Sequence, residues 1–123
     1  MALRLVVRKE KMINRSAIVV RAKQPFLNWL LDLPDPVSTD ITLDEINNEP
    51  HIYLLPEYET IDQQDELLSG FYDIVFDAEL NGWWTDETNW PAHRDFNLFK
   101  DWFSVEFHSI IEDIVDEPLI NEY

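Results

Sequence analysis

Residues 16–22, SAIVVRA, decide how the rest of the chain is read. The run is rich in β-branched residues and predicts a first β-strand. Side chains alternate along a strand, so Ile18 and Val20 share one face, and Ala17, Val19 and Arg21 share the other. Two later stretches match it. HIYLL at 51–55, closed by Pro56, reads as a second strand, and SVEFHSII at 104–111 alternates as a third. The expectation is that Ile18/Val20, Ile52/Leu54 and Val105/Phe107 face helices. Val19, Arg21, His51, Tyr53, Glu106 and His108 would then lie on the opposite face.

The segments between these strands read as helices. QPFLNWLLDLP has Pro25 suited to a first turn, an apolar stripe of Phe26, Trp29, Leu30 and Leu33, and a Pro-Asp-Pro stop. In ITLDEINNEP, Thr42 and Glu45 have capping-box spacing, and Pro50 ends a short helix. Thr60 and Gln63 repeat that spacing and open a long helix, roughly 61–80. Its core stripe is read as Leu67, Phe71, Ile74, Val75 and Ala78, and Gly70 in its middle suggests a close approach. Asp95 can cap a last helix carrying Phe96, Phe99 and Phe103. The tail EDIVDEPLINEY alternates weakly and reads as a strand extension or as an arm reaching a second subunit.

This order of elements implies an α+β fold: a small, about three-stranded β-sheet with helices packed mainly on one face. The 123 residues fit one domain, assigned to 12–123. Residues 1–11 read as a basic N-terminal extension, with Met12 resembling a natural start.

Charge is the strongest global signal. The net charge is -16, and it is unevenly spread. Residues 1–23 hold seven of the nine Lys and Arg and one acid, a net of +6, whereas residues 24–123 hold two basic residues and 24 acids, a net of -22. Such a body repels phosphate backbones, which disfavours direct nucleic-acid binding, and attracts cations and basic protein surfaces. The plainer reading of the same charge is solubility. No stretch approaches a membrane span or a signal-peptide core, so a membrane is not an expected partner. The absence of cysteine removes thiolate chemistry and suits a reducing, cytoplasmic setting.

Three constellations are candidates for function. First, His51, Glu106 and His108 share parity in the expected sheet. Two imidazoles and a carboxylate can hold a transition metal or move a proton, which makes a small metal-dependent enzyme one reading. The spacing carries no H-E-x-x-H, no EF-hand loop and no G-x-S-x-G, so no cofactor is implied. The half-apolar second face suits a homodimer better.

Second, Asp62, Glu66, Asp73 and Asp77 form an acidic row on the long helix: a solvated face or a docking stripe for a basic protein partner. Third, GWWTDETNWPAHRD at 82–95 holds Trp83, Trp90, His93 and Arg94. These form either a recognition patch or a Pro-stopped turn that staples two helices. In the staple reading Thr85 caps the turn, Trp84 and Trp90 are anchors, and Arg94 pairs with Asp86, Asp95 or the acidic row.

The leading expectation is a non-enzymatic binding or regulatory protein. A weaker alternative is an acidic nucleic-acid mimic, which needs regularly spaced carboxylates over a long surface. The stretches NRSAIVVRAKQPFLNWL, ITLDEINNEPHIYLLPE and WPAHRDFNLFKDWFSVEFHSII resemble a family of small acidic bacterial proteins. The resemblance spans nearly all of 12–111 and brings no activity, cofactor or site residue with it.

Overall fold

The computed structural model describes residues 12–35 and 39–122. The basic extension expected at 1–11 lies outside the described residues, as does Pro36 of the Pro-Asp-Pro stop. The fold is α+β. Strand β1 (Ser16–Ala22) is the middle of a three-stranded antiparallel sheet, with β2 (His51–Leu55) on one side and β3 (Phe103–His108) on the other. Its first five residues, whose side chains alternate between the two faces, are all buried. That is why its apolar run is continuous rather than strictly alternating.

Between β1 and β2 lie α1 (Gln24–Leu31) and α2 (Leu43–Ile46); α3 (Gln64–Ser69), α4 (Tyr72–Asn81) and α5 (Phe96–Trp102) separate β2 from β3. Helix α1 buries Phe26, Leu27 and Leu30, as a first-turn proline followed by i, i+4 apolar spacing dictates. The Thr42 hydroxyl accepts the Glu45 amide at 3.2 Å and starts α2. The Asp95 carboxylate accepts the Leu98 amide at 2.8 Å and starts α5. The chain then passes from α5 into β3 with no loop between them.

One core holds the assembly. Ile18, Val20, Leu55 and Phe103 from the sheet pack with Phe26, Leu68, Phe76, Leu80, Trp90 and Phe99. The aromatic part is continuous: Phe76 lies 5.7 Å from Phe99 and 5.4 Å from Phe103, ring centre to ring centre. Such tilted and edge-on contacts add to area burial.

The sequence expectation for β2 is reversed. Ile18 stands opposite Tyr53 and Val20 opposite His51, so His51, Tyr53 and Leu55 face the helices. Ile52 and Leu54 point to the open face and are 65% and 45% exposed. HIYLL has apolar side chains at both parities, so alternation alone does not choose between them. The choice is made by Leu55, buried in the core, and by the Ser16 hydroxyl, which donates to the Pro56 carbonyl at 2.7 Å.

The expected helix over 61–80 is also corrected. A single 3-10 turn, Ile61–Gln63, leads into α3, and the helix breaks at Gly70 and Phe71. Their amides close i to i-3 bonds to Leu67 and Leu68, a tight turn that a mid-helix glycine favours. The close approach expected at Gly70 is not found: the nearest atom to a Cβ there is its own Leu67 carbonyl oxygen, at an ordinary 3.5 Å. The buried stripe is Leu68, Val75, Phe76 and Leu80, with Ile74 63% exposed and Ala78 exposed. This rotates the expected stripe by one residue, about 100° around the axis. Phe76 and Leu80 bury more apolar area than Ile74 and Ala78, and the helix turns to suit them.

Candidate functional site

The rotation of α4 has a local consequence. Glu79 lies next to Leu80 on the buried side, and its side chain is only 11% exposed. It meets the helix-facing residues of β2. The His51 imidazole Nδ1 lies 2.5 Å from Glu79 Oε2, and the Tyr53 hydroxyl donates to the same oxygen. An ionised carboxylate only accepts, so this arrangement needs the Nδ1 proton in place. Burial, followed by the hydrogen bond to Glu79 and the charge of Glu79, pushes the Tyr53 phenol far above its ordinary 10.0.

Glu79 and His51 line a cleft of about 390 Å³ between the start of β2, α2 and the end of α4. Glu45, Glu49 and Trp83 line it as well. Asn47 fixes this lining to the sheet. Its side-chain oxygen accepts the Ala22 amide at 2.8 Å, and its side-chain nitrogen donates to the Ala22 carbonyl at 2.9 Å. Asn47 thus completes β1 on the side where β2 has not yet begun. Three carboxylates, one imidazole and an indole line the cleft, and neither Lys nor Arg does. Such a lining favours a cation: carboxylates supply charge and bidentate acceptors, and an indole supplies a π-face.

The expected His51, Glu106 and His108 group does not assemble. His51 is on the helix side of β2, one edge of the sheet, whereas Glu106 and His108 are on the open face of β3, the other edge. The reversed parity of β2 is the reason. Glu106 and His108 do pair with each other, Nε2 to Oε2 at 2.5 Å, and Arg21 stands 3.5 Å from the same carboxylate. The His108 hydrogen bond, aided by the Arg21 charge, holds the Glu106 carboxyl below its ordinary value. Among the described residues no three His, Asp or Glu side chains gather as a metal set.

The acidic row is interrupted. Asp62 lies in the 3-10 turn, Glu66 on α3, and Asp73 and Asp77 on α4, all four exposed. The Thr60 hydroxyl bonds the Asp62 carboxylate and lowers its pKa, and Asp77 is 3.2 Å from the Arg94 guanidinium. The break at Gly70 and Phe71 divides the row between α3 and α4.

The tryptophan loop is tied together by its own indoles. Its single 3-10 turn, Glu87–Asn89, is capped one residue later than expected: Asp86, not Thr85, accepts the Thr88 amide at 3.1 Å. The Trp90 indole donates to the Trp84 carbonyl at 2.8 Å, the Trp84 indole to the Asn89 side chain at 3.1 Å, and the Trp29 indole to the Asn89 carbonyl at 2.9 Å. Trp90 is 8% exposed and belongs to the core, which removes it from any surface patch. Arg94 lies 5.4 Å over the Trp90 ring and donates to the Pro91 carbonyl at 2.7 Å. His93 is exposed, and Trp83 turns to the cleft.

The sequence singles out His51 and Trp83 and puts Tyr53 on the same strand face as His51, but gives Glu79, Glu45 and Glu49 no place beside them. The available signal was an acid on an apolar stripe: Glu79 is i+4 from Val75 and i+3 from Phe76. No helix among the described residues is long and apolar enough to cross a membrane. Compared with protein-family models, curated proteins and solved structures, the chain matches none.

Proposed function

We propose that this chain is a non-enzymatic binding or regulatory protein, acting in the cytoplasm, whose acidic surface meets a basic protein partner. The cleft beside Glu79 receives one cationic side chain of that partner. A single observation carries the reading: a cleft lined by Glu45, Glu49, Glu79 and Trp83 opens on a body whose net charge is -22. Long-range charge brings a basic surface in, and a partly buried carboxylate held by two donors gives it a fixed point of contact. Pairing of two copies through the half-apolar open face of the sheet belongs to the same proposal.

The test is a titration with short Arg-rich and Lys-rich peptides, followed by calorimetry and tryptophan fluorescence. Citrulline-substituted peptides serve as neutral controls. Binding should weaken with added salt, fail with citrulline, and fall about tenfold or more in Glu79→Gln, the loss expected when one partly buried charged contact is removed. Absence of binding, or binding equal for the neutral peptide, rules the reading out.

A further inference from the structure

Six of the ten large apolar side chains left in solvent among the described residues lie in two places. One is the strip along β2 on the open face, Ile52 and Leu54. The other is the C-terminal arm, 113–122, where Ile114, Val115, Leu119 and Ile120 are each between 60% and 75% exposed. We propose that the arm of a second copy lies across the β2 strip, and that the exchange is reciprocal, so that two chains pair about a two-fold axis. The inference builds on the pairing proposed above and is independent of the basic partner.

Four observations support this occupant. The root of the arm is fixed: Met12 bridges Glu112, and the Ile13 amide donates to the Ile111 carbonyl at 3.0 Å. The arm therefore leaves the sheet from a defined point, beyond the end of the β1–β3 ladder. It does not cover its own strip, because its four apolar side chains and Ile52 and Leu54 are exposed in the same chain.

The strip alone is too small for a flat dimer, since a specific interface takes about 20–30 residues a side. An arm both given and received enlarges the contact twice over. Extended, its residues span roughly 33 Å, enough to cross a five-residue strand. Pro118 in the arm and Pro50 and Pro56 beside β2 oppose a further hydrogen-bonded strand. Contact by side chains over the open face fits them better.

Sedimentation equilibrium on the full chain, over a range of concentration and salt, tests the proposal. A dimer is expected, and salt should strengthen it, because two chains of charge -16 repel each other and apolar contact joins them. Ile52→Asp alone, and Leu119→Asp with Ile120→Asp together, should each weaken association about tenfold or more. All three sites are exposed, and circular dichroism checks the fold. Ile52→Thr, which keeps a β-branched side chain, replaces the Asp variant if that one unfolds.

Mixing the two variants should restore part of the dimer, since the intact arm of one meets the intact strip of the other. A wild-type chain that stays monomeric at every concentration overturns the proposal. So does a dimer that ignores the arm substitutions, or a mixture that recovers nothing.

Discussion

The sheet carries two His–Glu pairs of equal length on opposite sides. His51 and Glu79 meet at 2.5 Å on the helix side, and His108 and Glu106 meet at 2.5 Å on the open face. Their settings differ. Glu79 is 11% exposed, takes a second bond from Tyr53 and faces a cleft, whereas Glu106 is 53% exposed and shares its charge with Arg21 in solvent. The same two residue types thus make a fixed contact point in one place and a screened surface pair in the other. Burial makes the difference, not the pair itself, since each pair has a third partner, Tyr53 in one place and Arg21 in the other.

The comparison rests on the parity of β2, and the largest effect tests that. Leu55→Ala should cost about 2–5 kcal/mol, the usual range for a buried leucine truncated in a packed core. Leu54→Ala, one residue away on the open face, should cost about 1 kcal/mol or less in dilute solution. Urea melts of the two variants measure this. A larger cost for Leu54→Ala than for Leu55→Ala would mean that the strand is read with the wrong face inward, and the cleft would lose His51.

Next in size is Glu79→Ala. It leaves the Tyr53 hydroxyl and the His51 ring without their acceptor, at a cost of about 1–3 kcal/mol. If the same melts show no change, Glu79 is as solvated as Glu106 and the contrast between the pairs collapses.

The middle strand was legible because SAIVVRA offers one reading: its apolar run is long enough to be buried on both faces. So were the ends of α2 and α5, where Thr42 and Asp95 cap as their spacing says. HIYLL was not legible. Its two parities carry similar apolar content, and only packing against α4 separates them. The phase of α4 failed for a related reason: Val75 belongs to both candidate stripes, and the bulk of Phe76 and Leu80 decides between them. The two errors hid the site together. The site needs an acid on the buried side of α4 and a histidine on the helix side of β2; the sequence reading puts His51 on the other side and gives Glu79 no place. Trp83 was singled out as part of a loop patch, but its role as a cleft wall depends on Asn47 holding α2 to β1, a contact that no local pattern signals.

Tyr53 gives a smaller and more specific effect. In the unfolded chain its phenol ionises near the ordinary 10.0, whereas in the folded chain it keeps its proton well above that. In this interval the unfolded state binds fewer protons, so stability is intact below 10.0 and falls as pH rises through it. One such group contributes a slope of at most ~1.4 kcal/mol per pH unit, reduced by its partial exposure. Tyr53→Phe should flatten the alkaline arm of the stability curve by this amount. A phenolate absorbance titration in which every tyrosine ionises together in the folded protein would contradict the contact with Glu79.

The smallest effect is expected on the open face. Glu106 has its carboxyl held below the ordinary 4.5, first by the His108 hydrogen bond and then by the Arg21 charge. A lowered carboxyl contributes its stability above the unfolded value, and that stability is lost as pH falls through the folded one. The window is therefore acid, below 4.5. Solvent screens the coupling of this exposed pair, so Glu106→Gln should leave the urea midpoint unchanged at neutral pH. The informative readout is the carboxyl titration itself, followed by NMR. His108→Ala should move Glu106 back toward its ordinary value by more than Arg21→Ala does, and added salt should erase the Arg21 part while leaving the hydrogen-bonded part. If Glu106→Gln destabilises the fold as much as Glu79→Ala, exposure is not what separates the two pairs, and the case for the cleft as the fixed point of contact loses its physical basis.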